Sequence, residues 1–236
     1  MKLSVLMPVY NEASTLGEAI RRVKSADVPK EIIVIDDGST DGSPDILNRL
    51  EAEAKKNNDP RNELKVIFKP VNQGKGAAIR SGILHVTGDI VIIQDADLEY
   101  DPQDYGKLTD PILSGKADVV YGTRFYGGGP HRVLFFWHYL GNQILTLLSN
   151  ILTNLNLSDM EVGYKAFRSE VLKSIHIKSN RFGFEPEITV KIARRGCRIY
   201  EVPVSYYGRT YKEGKKITWK DGIAALFLLI RFRLKD

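Results

Sequence analysis

The sequence has almost no cysteine and no long uninterrupted apolar run, and each shortage excludes a class of protein. Cys197 is the only cysteine in 236 residues, so neither an internal disulfide nor a thiolate metal cluster can form, which suits a reducing cytosol. Polar residues interrupt the most apolar stretch, 133–157, at His138, Asn142, Gln143, Asn150 and Asn154. No stretch therefore reaches the roughly 18–20 apolar residues of a spanning helix. The N-terminus also lacks the apolar core of a signal peptide, so we expect a cytoplasmic protein.

Three common ligand-binding motifs are also missing. Residues 8–12 read PVYNE where the GxGxxG of a dinucleotide-binding fold would follow the first strand. Residues 74–76 read GKG, which lacks the spacing and the hydroxyl residue of a P-loop. Residues 36–42 read DDGSTDG and depart from the calcium-loop pattern. These absences disfavour a nicotinamide-dependent enzyme, a P-loop kinase and an EF-hand protein.

Composition and charge indicate a globular protein with an anionic partner. Hydrophobic residues make up 43% of the chain and charged residues 27%, which excludes disorder. The formal net charge is +5, and the region 198–236, with nine basic and four acidic residues, carries all of that excess. Phosphates, nucleic acid or an anionic membrane surface would suit such a region. The basic residues are not interleaved with a stacking platform, so we expect no nucleic-acid partner.

Apolar runs alternate with helical patterns along the chain. The patterns predict strands at 3–9, 31–35, 64–69, 89–93, 119–121, 163–168 and 198–207. They predict helices at 13–24, 43–56, 74–85, 131–157, 186–195 and 219–234. This alternation predicts an α/β fold with a mostly parallel, Rossmann-like sheet and helices on both faces.

Polar and acidic residues stand where three of the predicted strands end. Tyr10 and Glu12 follow the first strand, Asp36 and Asp37 the second, and the acids of QDADLEYDP the fourth. Because ligands bind outside the carboxyl ends of parallel strands, we expect one shared site. Two acids spaced as Asp-x-Asp suit Mg²⁺ or Mn²⁺ beside a phosphate, although such a pair alone also describes a solvated turn. The last acid of the run, before Pro102, is predicted to cap the next helix.

Several short motifs follow one another in a recognisable order. They are PVYNE at 8–12, IDDGSTDG at 35–42, NQGKG at 72–76 and DAD at 95–97. In this respect the first 125 residues resemble family 2 glycosyltransferases of the GT-A fold. The later motifs GTR at 122–124, GYKAF at 163–167 and FE at 184–185 resemble the polyprenyl-phosphate branch, which includes dolichyl-phosphate mannose and glucose synthases.

The resemblance implies a single GT-A domain and a role for each motif. Residues 1–125 would form a nucleotide-sugar-binding half, and 126–236 an acceptor half with an amphipathic C-terminal helix. Nucleotide-sugar contacts are implied for Pro8, Tyr10, Glu12, Asp36, Asp37, Lys75, Asp95, Ala96, Arg209 and Lys215. Mg²⁺ or Mn²⁺ would be held by Asp95, Asp97 and Glu99. For Tyr10, Lys75 and the basic loop that contains Arg209 and Lys215, simple packing or solvation is the alternative.

Asp97, Asp159 and Arg124 are the implied catalytic residues. Arg124 would bind a phosphate, and Asp159 stands where relatives that use a hydroxyl acceptor place a general base. The sequence Met160-Glu161-Val162 departs from the small polar run that usually follows this Asp. A phosphate acceptor is already anionic and needs little help from a base, whereas a hydroxyl needs one. The role of Asp159 therefore depends on the acceptor.

The implied activity is inverting transfer of mannose or glucose from GDP-mannose or UDP-glucose to a dolichyl or undecaprenyl phosphate. The resemblance therefore also implies peripheral contact with the cytoplasmic membrane face, and it allows a membrane-protein partner. The apolar helix at 131–157 is either buried or set against lipid, and the C-terminal helix either docks on the protein or lies in the membrane plane. The rivals are a soluble family 2 enzyme acting on a glycan or protein hydroxyl, and a non-catalytic nucleotide-sugar-binding protein.

Overall fold

Helices and strands alternate through most of the chain, as the apolar pattern predicts. The computed structural model describes residues 2–126, 132–133, 135–181, 183–210 and 219–235. The strands are β1 (Leu3–Val9), β2 (Lys30–Asp36), β3 (Asn62–Phe68), β4 (Ile90–Ile93), β5 (Val119–Thr123), β6 (Lys165–Arg168) and β7 (Ile199–Pro203). The helices are α1 (Leu16–Ser25), α2 (Ser43–Asn57), α3 (Lys75–Ile83), α4 (Tyr105–Leu113), α5 (Phe136–Thr153), α6 (Ser169–Ser174), α7 (Phe184–Arg194) and α8 (Trp219–Lys235).

The seven strands form one sheet in the order β3-β2-β1-β4-β6-β5-β7. Every pairing is parallel except those of β6, which runs antiparallel to both β4 and β5. All residues of β2 and β4 are buried, because helices cover both faces of the sheet. The predicted α/β fold with a mostly parallel sheet is confirmed.

The reversed strand β6 brings the second half of the chain to the edge where the first half ends. β6 pairs Lys165 with Ile93, the last residue of β4, and with Tyr121 near the end of β5. The loop before β6 therefore lies at the carboxyl ends of the parallel strands. Asp101 caps the short 3₁₀ turn Pro102–Asp104 by accepting a hydrogen bond from the amide of Gln103, as predicted.

Helix α5 is shorter than the predicted helix at 131–157, and it is not deeply buried. Its fully buried residues are the polar Thr146 and Ser149. Large apolar side chains are exposed instead: Phe136, Trp137, Tyr139, Ile144, Leu147 and Ile151. The exposed apolar face of α5 excludes the buried-core alternative.

Helix α8 packs against α5 and α7 through Ala225, Leu229 and Phe232. It also exposes Phe227, Ile230 and Leu234. Together with the outer residues of α5, these side chains form an apolar surface on the α5–α8 pair. Within the described ranges, every helix is too short or too polar to cross a bilayer.

Candidate functional site

A cavity of about 860 Å³ opens at the carboxyl ends of β1, β2 and β4. Most of the residues predicted for the site line it: Pro8, Tyr10, Glu12, Asp37, Lys75, Asp95, Ala96, Asp97, Glu99, Arg124 and Arg209. Two predicted residues, Asp36 and Asp159, are buried behind its wall. Lys215 lies outside the described residues. The polar strand ends therefore meet in one place.

Arg209 binds three of the acids in this cavity. Its Nη2 lies 2.7 Å from Asp97 Oδ2, its Nε 3.4 Å from Glu99 Oε1, and its Nη1 3.5 Å from Glu12 Oε2. Burial, followed by the charges of Asp95 and Glu99, raises the pKa of Asp97 to about 7, against the opposing effect of Arg209. Burial and the neighbouring acids together thus outweigh the single guanidinium.

Lys75 joins the strand-end acids to helix α7. Its Nζ lies 2.9 Å from Asp95 Oδ1 and 2.9 Å from Glu185 Oε1. Burial lowers the pKa of Lys75, but the charges of Asp95 and Glu185 outweigh burial and raise that pKa above its ordinary value. The solvated-turn alternative for Lys75 is therefore wrong, because the amine is buried between two carboxylates.

The donor set suits a hard divalent cation, although the acids are not gathered around one point. No three His, Cys, Asp or Glu side chains in the described parts of the chain are arranged to hold a metal ion. Instead, Lys75 forms an ion pair with Asp95, and Arg209 forms ion pairs with Asp97 and Glu99. A divalent ion prefers carboxylate oxygens and would relieve the repulsion that raises the pKa of Asp97. The residues therefore fit Mg²⁺ or Mn²⁺ once the internal cations move aside.

Asp37 shapes the turn before α3. Its carboxylate pairs with Lys69 and accepts hydrogen bonds from the amides of Gln73 at 3.0 Å and Gly74 at 2.5 Å. Gly74 has φ +101°, a conformation that side chains rarely allow. Asp36 Oδ2 accepts from the amide of Ser39, and its Oδ1 is buried without a partner in the described structure. These two acids organise the cavity rim, where Tyr10 is 39% exposed.

Arg124 and Asp159 form a bidentate ion pair. Nε of Arg124 lies 2.7 Å from Oδ2 of Asp159, and Nη2 lies 2.7 Å from Oδ1. The backbone amide of Arg124 also donates to Oδ2 at 3.1 Å. Asp159 is fully buried and lies outside the cavity lining. This geometry suits orientation of Arg124 and not proton transfer from a ligand, so the base role predicted for Asp159 loses its physical support.

Among the cavity residues that were not predicted, three carry polar groups that bear on the chemistry of the site. Glu161 and Glu185 line the cavity, as does Tyr206, whose hydroxyl donates to Glu99 Oε2 at 3.0 Å. The signals for the two glutamates were present, because Glu185 follows Phe184 in a recognised motif and Glu161 sits where the sequence departs from the usual polar run. Tyr206 gave no such signal, since its contact with Glu99 spans 107 positions.

The other end of the cavity is apolar and lies between α5 and α8. Its apolar lining is Trp137, Gly141, Ile144, Leu145, Leu148, Gly222, Ala225 and Leu226, and the polar His138 and Asn142 of α5 also line the cavity. Gly141, Gly222 and Ala225 carry little or no side chain, which leaves space between the two helices. A single cavity therefore runs from a carboxylate-rich end to an apolar end.

The sheet order and the carboxylates at its carboxyl edge define a glycosyltransferase of the GT-A class. The chain belongs to glycosyl transferase family 2, whose family model, described as "Glycosyl transferase family 2", matches residues 4–175. The resemblance seen in the motifs is thereby confirmed, and the protein is an enzyme of that family.

Two curated relatives and one solved structure illustrate the similarity. "Undecaprenyl-phosphate mannosyltransferase" of Micrococcus luteus is 30% identical over 227 residues, which cover 91% of this chain and 87% of that protein. "Dolichol-phosphate mannosyltransferase" of Pyrococcus furiosus is 28% identical over 219 residues, which cover 91% of this chain and 59% of that protein. Three of the relatives are longer, and the chain spans between 48% and 63% of their length.

The solved structure is glucosyl-3-phosphoglycerate synthase from Mycobacterium tuberculosis in complex with Mn²⁺, uridine diphosphate and phosphoglyceric acid. It superposes with a TM-score of 0.71 at 23% identity, over 99% of this chain and 78% of that chain. At this level of identity the likeness establishes the fold.

Proposed function

We propose that the enzyme transfers mannose or glucose from a GDP- or UDP-linked donor to a polyprenyl phosphate, with Mg²⁺ or Mn²⁺. One observation carries this proposal: a single cavity joins a carboxylate-rich end to an apolar end between α5 and α8. A charged donor fits the first end and an isoprenoid chain fits the second. The names of the relatives from M. luteus and P. furiosus support the same pair of substrates.

The donor diphosphate is assigned to the end that contains the three strand-end acids. Asp95, Asp97 and Glu99 would hold the metal ion, which supplies positive charge beside the leaving diphosphate when it is bound. Arg209 would then exchange its carboxylate partners for phosphate oxygens, because a guanidinium binds both groups well. The exposed ring of Tyr10 at the rim would face the nucleotide base. The UDP and Mn²⁺ of the M. tuberculosis neighbour support a nucleotide and a metal ion at this end.

The acceptor phosphate is assigned to Arg124. Its guanidinium is oriented by Asp159 and lies on the cavity wall. A phosphate oxygen attacks the sugar carbon directly, so the reaction needs little proton transfer. A hydroxyl acceptor would need a base, and Asp159 is committed to Arg124. One displacement inverts the anomeric centre and gives a β-linked product from an α-linked donor.

The lipid tail is assigned to the apolar end of the cavity, next to the exposed apolar surface of the α5–α8 pair. Arg231 and Arg233, both exposed, stand near the end of α8. An apolar face beside basic residues is typical of helices that lie on an anionic bilayer. We place the enzyme at the cytoplasmic membrane face as a peripheral protein, where a membrane-protein partner would add a second attachment.

The test is transfer of labelled sugar into an organic-extractable product. The purified chain is incubated with GDP-mannose or UDP-glucose, Mn²⁺, and undecaprenyl or dolichyl phosphate. We expect one donor to label the lipid, and Asp97→Asn to abolish the labelling. Labelling of a soluble glycan or protein acceptor, with none of either lipid, would overturn the acceptor assignment. No turnover of any donor would favour a non-catalytic nucleotide-sugar-binding protein.

A further inference from the structure

Glu161 differs from the other carboxylates that line the cavity. Its Oε1 is buried and has no hydrogen-bond partner in the part of the chain that the structure describes. The neighbouring acids Asp95, Asp97 and Glu185 each have a lysine or arginine nitrogen within 2.9 Å. Glu161 forms no salt bridge of this kind among the described residues. The described residues therefore leave one oxygen of this cavity acid without a partner.

An unsatisfied carboxylate is costly unless a ligand uses it. A buried polar group without a partner costs about 1–3 kcal/mol, and more when it is charged. Burial, followed by the charge of Glu185, raises the pKa of Glu161 to about 7, while Lys165 and Arg124 oppose the shift. Such groups concentrate at functional sites. The cost to the folded enzyme suggests that a ligand supplies the missing donors.

Glu161 is also held in place. The buried amine of Lys165 donates to the carbonyls of Met160 and Val162, on either side of Glu161. A Cβ on Gly163 would fall 2.3 Å from Asp95 Oδ2, so only glycine lets this loop approach the strand-end acids so closely. The backbone that carries Glu161 is thus fixed against the sheet edge from both sides.

The loop places Glu161 between the two charged ends of the reaction. Two residues before it, Asp159 orients Arg124, which is assigned to the acceptor phosphate. Two residues after it, Gly163 contacts Asp95, which is assigned to the donor diphosphate. The transferred hexose must lie between these phosphates. This step rests on the proposed function, since it uses the two assignments made there.

We propose that Glu161 accepts hydrogen bonds from hydroxyl groups of the donor hexose and thereby selects the sugar. Hydroxyl donors favour the ionised form of Glu161, whose two oxygens then accept charge-assisted bonds that are stronger than bonds between neutral groups. A hexose with one hydroxyl turned the other way would leave an oxygen of Glu161 buried and unpaired again. Discrimination of this kind is large because a wrong sugar leaves a buried polar group of the protein without a hydrogen-bond partner.

The experiment measures donor binding by calorimetry with Mn²⁺, in the absence of any acceptor. GDP-mannose, UDP-glucose, GDP and UDP are titrated into the full chain and into Glu161→Ala and Glu161→Gln. We expect Glu161→Ala to raise the Kd of the preferred sugar nucleotide about tenfold, the equivalent of one lost hydrogen-bonded contact. The Kd of the matching free nucleotide should stay unchanged. Glu161→Gln should lie between the two, and Glu170→Gln, an exposed glutamate on α6, serves as the control.

Two results would overturn the inference. Equal weakening of sugar nucleotide and free nucleotide would show that Glu161 supports the nucleotide site and not the sugar. Unchanged binding of the preferred sugar nucleotide in Glu161→Ala would show that Glu161 does not contact the sugar. Because no acceptor is present, the titration stands even if the lipid acceptor proves wrong. A chain that binds no sugar nucleotide would refute both proposals.

Discussion

Arg209 Nη2 lies 2.7 Å from Asp97 Oδ2, across 112 positions of sequence. The same guanidinium reaches Glu99 and Glu12, so one internal cation occupies the acids that the motifs assign to a metal ion. A divalent ion at Asp97 would be repelled by the guanidinium of Arg209, which lies 2.7 Å from the same carboxylate. Metal binding and release of Arg209 are therefore coupled, and the coupling can be measured.

Replacing Arg209 should strengthen metal binding and lower the rate of sugar transfer. In Arg209→Gln the metal ion no longer competes with a guanidinium, so the apparent Kd for Mn²⁺ should fall about tenfold, which corresponds to one modest charge pair. The variant should be less stable without metal, because the acids then repel one another. Thermal unfolding over a Mn²⁺ titration at fixed ionic strength gives both quantities. Arg21→Gln, which removes an exposed partner of Glu18, is the control, and equal Mn²⁺ responses would contradict the coupling.

Removing Asp159 should destabilise the fold whichever acceptor the enzyme uses. Asp159→Ala leaves the Arg124 guanidinium buried without its partner, which costs about 3–5 kcal/mol of unfolding free energy. The double variant Arg124→Met/Asp159→Ala should lose less than the sum of the single variants. Urea unfolding measures all three. Loss of activity in Asp159→Ala alone is thus no proof of a base.

The exposed pair Arg61–Asp27 serves as the control double-mutant cycle for this measurement. Both of its side chains are largely exposed, so its coupling should stay below about 1 kcal/mol. Additive losses at Arg124 and Asp159 would show that the two residues act independently.

Glu161 should make the stability of the enzyme fall as pH rises from 4.5 to about 7. Its pKa is about 7 in the folded protein against 4.5 ordinarily, because burial and Glu185 favour the neutral form. Between those values the folded state binds more protons than the unfolded state, so stability declines across that window. Asp159, Lys165 and Arg124 also face this group.

Glu161→Gln removes that proton uptake. Above about pH 7 the variant should be more stable than the parent by on the order of 1–3 kcal/mol, and near pH 4 the two should converge. Urea unfolding at about pH 5 and about pH 8 tests this sign. Asp97 contributes to the decline in both proteins, so it cancels in the difference. A parent and a variant with equal slopes would mean that Glu161 is not held in its neutral form.

Charges on the outer face of α5 should release the enzyme from lipid vesicles. Leu147→Glu and Ile151→Glu change side chains that are exposed and lie outside the cavity lining. Each should lower binding to phosphatidylglycerol-containing vesicles about tenfold, since a buried leucine-sized side chain contributes about 1.5–3 kcal/mol. Co-sedimentation measures the bound fraction. Leu84→Glu, an exposed leucine at the end of α3, should bind like the parent, and loss in that variant too would argue against a specific face.

Site features that depend on residues close together in the sequence could be predicted, whereas contacts between residues far apart in the sequence could not. The acids after β4 could be placed because that buried strand ends at Ile93, two positions before Asp95, and parallel strands present their carboxyl ends together. The contact of Arg209 with Asp97 could not be predicted from the sequence, because it depends on where the chain returns after β7. The pairing of Lys75 with Glu185 has the same cause, since α3 and α7 meet only in the folded sheet.

Helix α5 shows a different limit. In the sequence, polar residues recur every three or four positions along this helix and form a stripe: His138, Asn142, Thr146, Asn150 and Thr153. A hydrophobic-inside rule would turn that stripe towards solvent. The structure turns it inward because the loop that follows needs hydrogen bonds: Thr146 accepts from the amide of Met160, and Asn150 bonds both backbone groups of Leu157. Those bonds fix the loop that carries Asp159 and Glu161. The apolar residues of α5 are left outside as a consequence.

Strand β6, which lies between β4 and β5, determines whether the two halves of the enzyme can fold separately. In the described sheet β5 is hydrogen-bonded to β6 and β7, and β4 reaches β5 only through β6. A fragment that stops at residue 125 would leave β5 without a neighbouring strand and would open the backbone groups of β4 to solvent or to another chain. The proposed nucleotide-sugar half and acceptor half therefore belong to one folding unit, and we expect neither to fold when it is expressed alone.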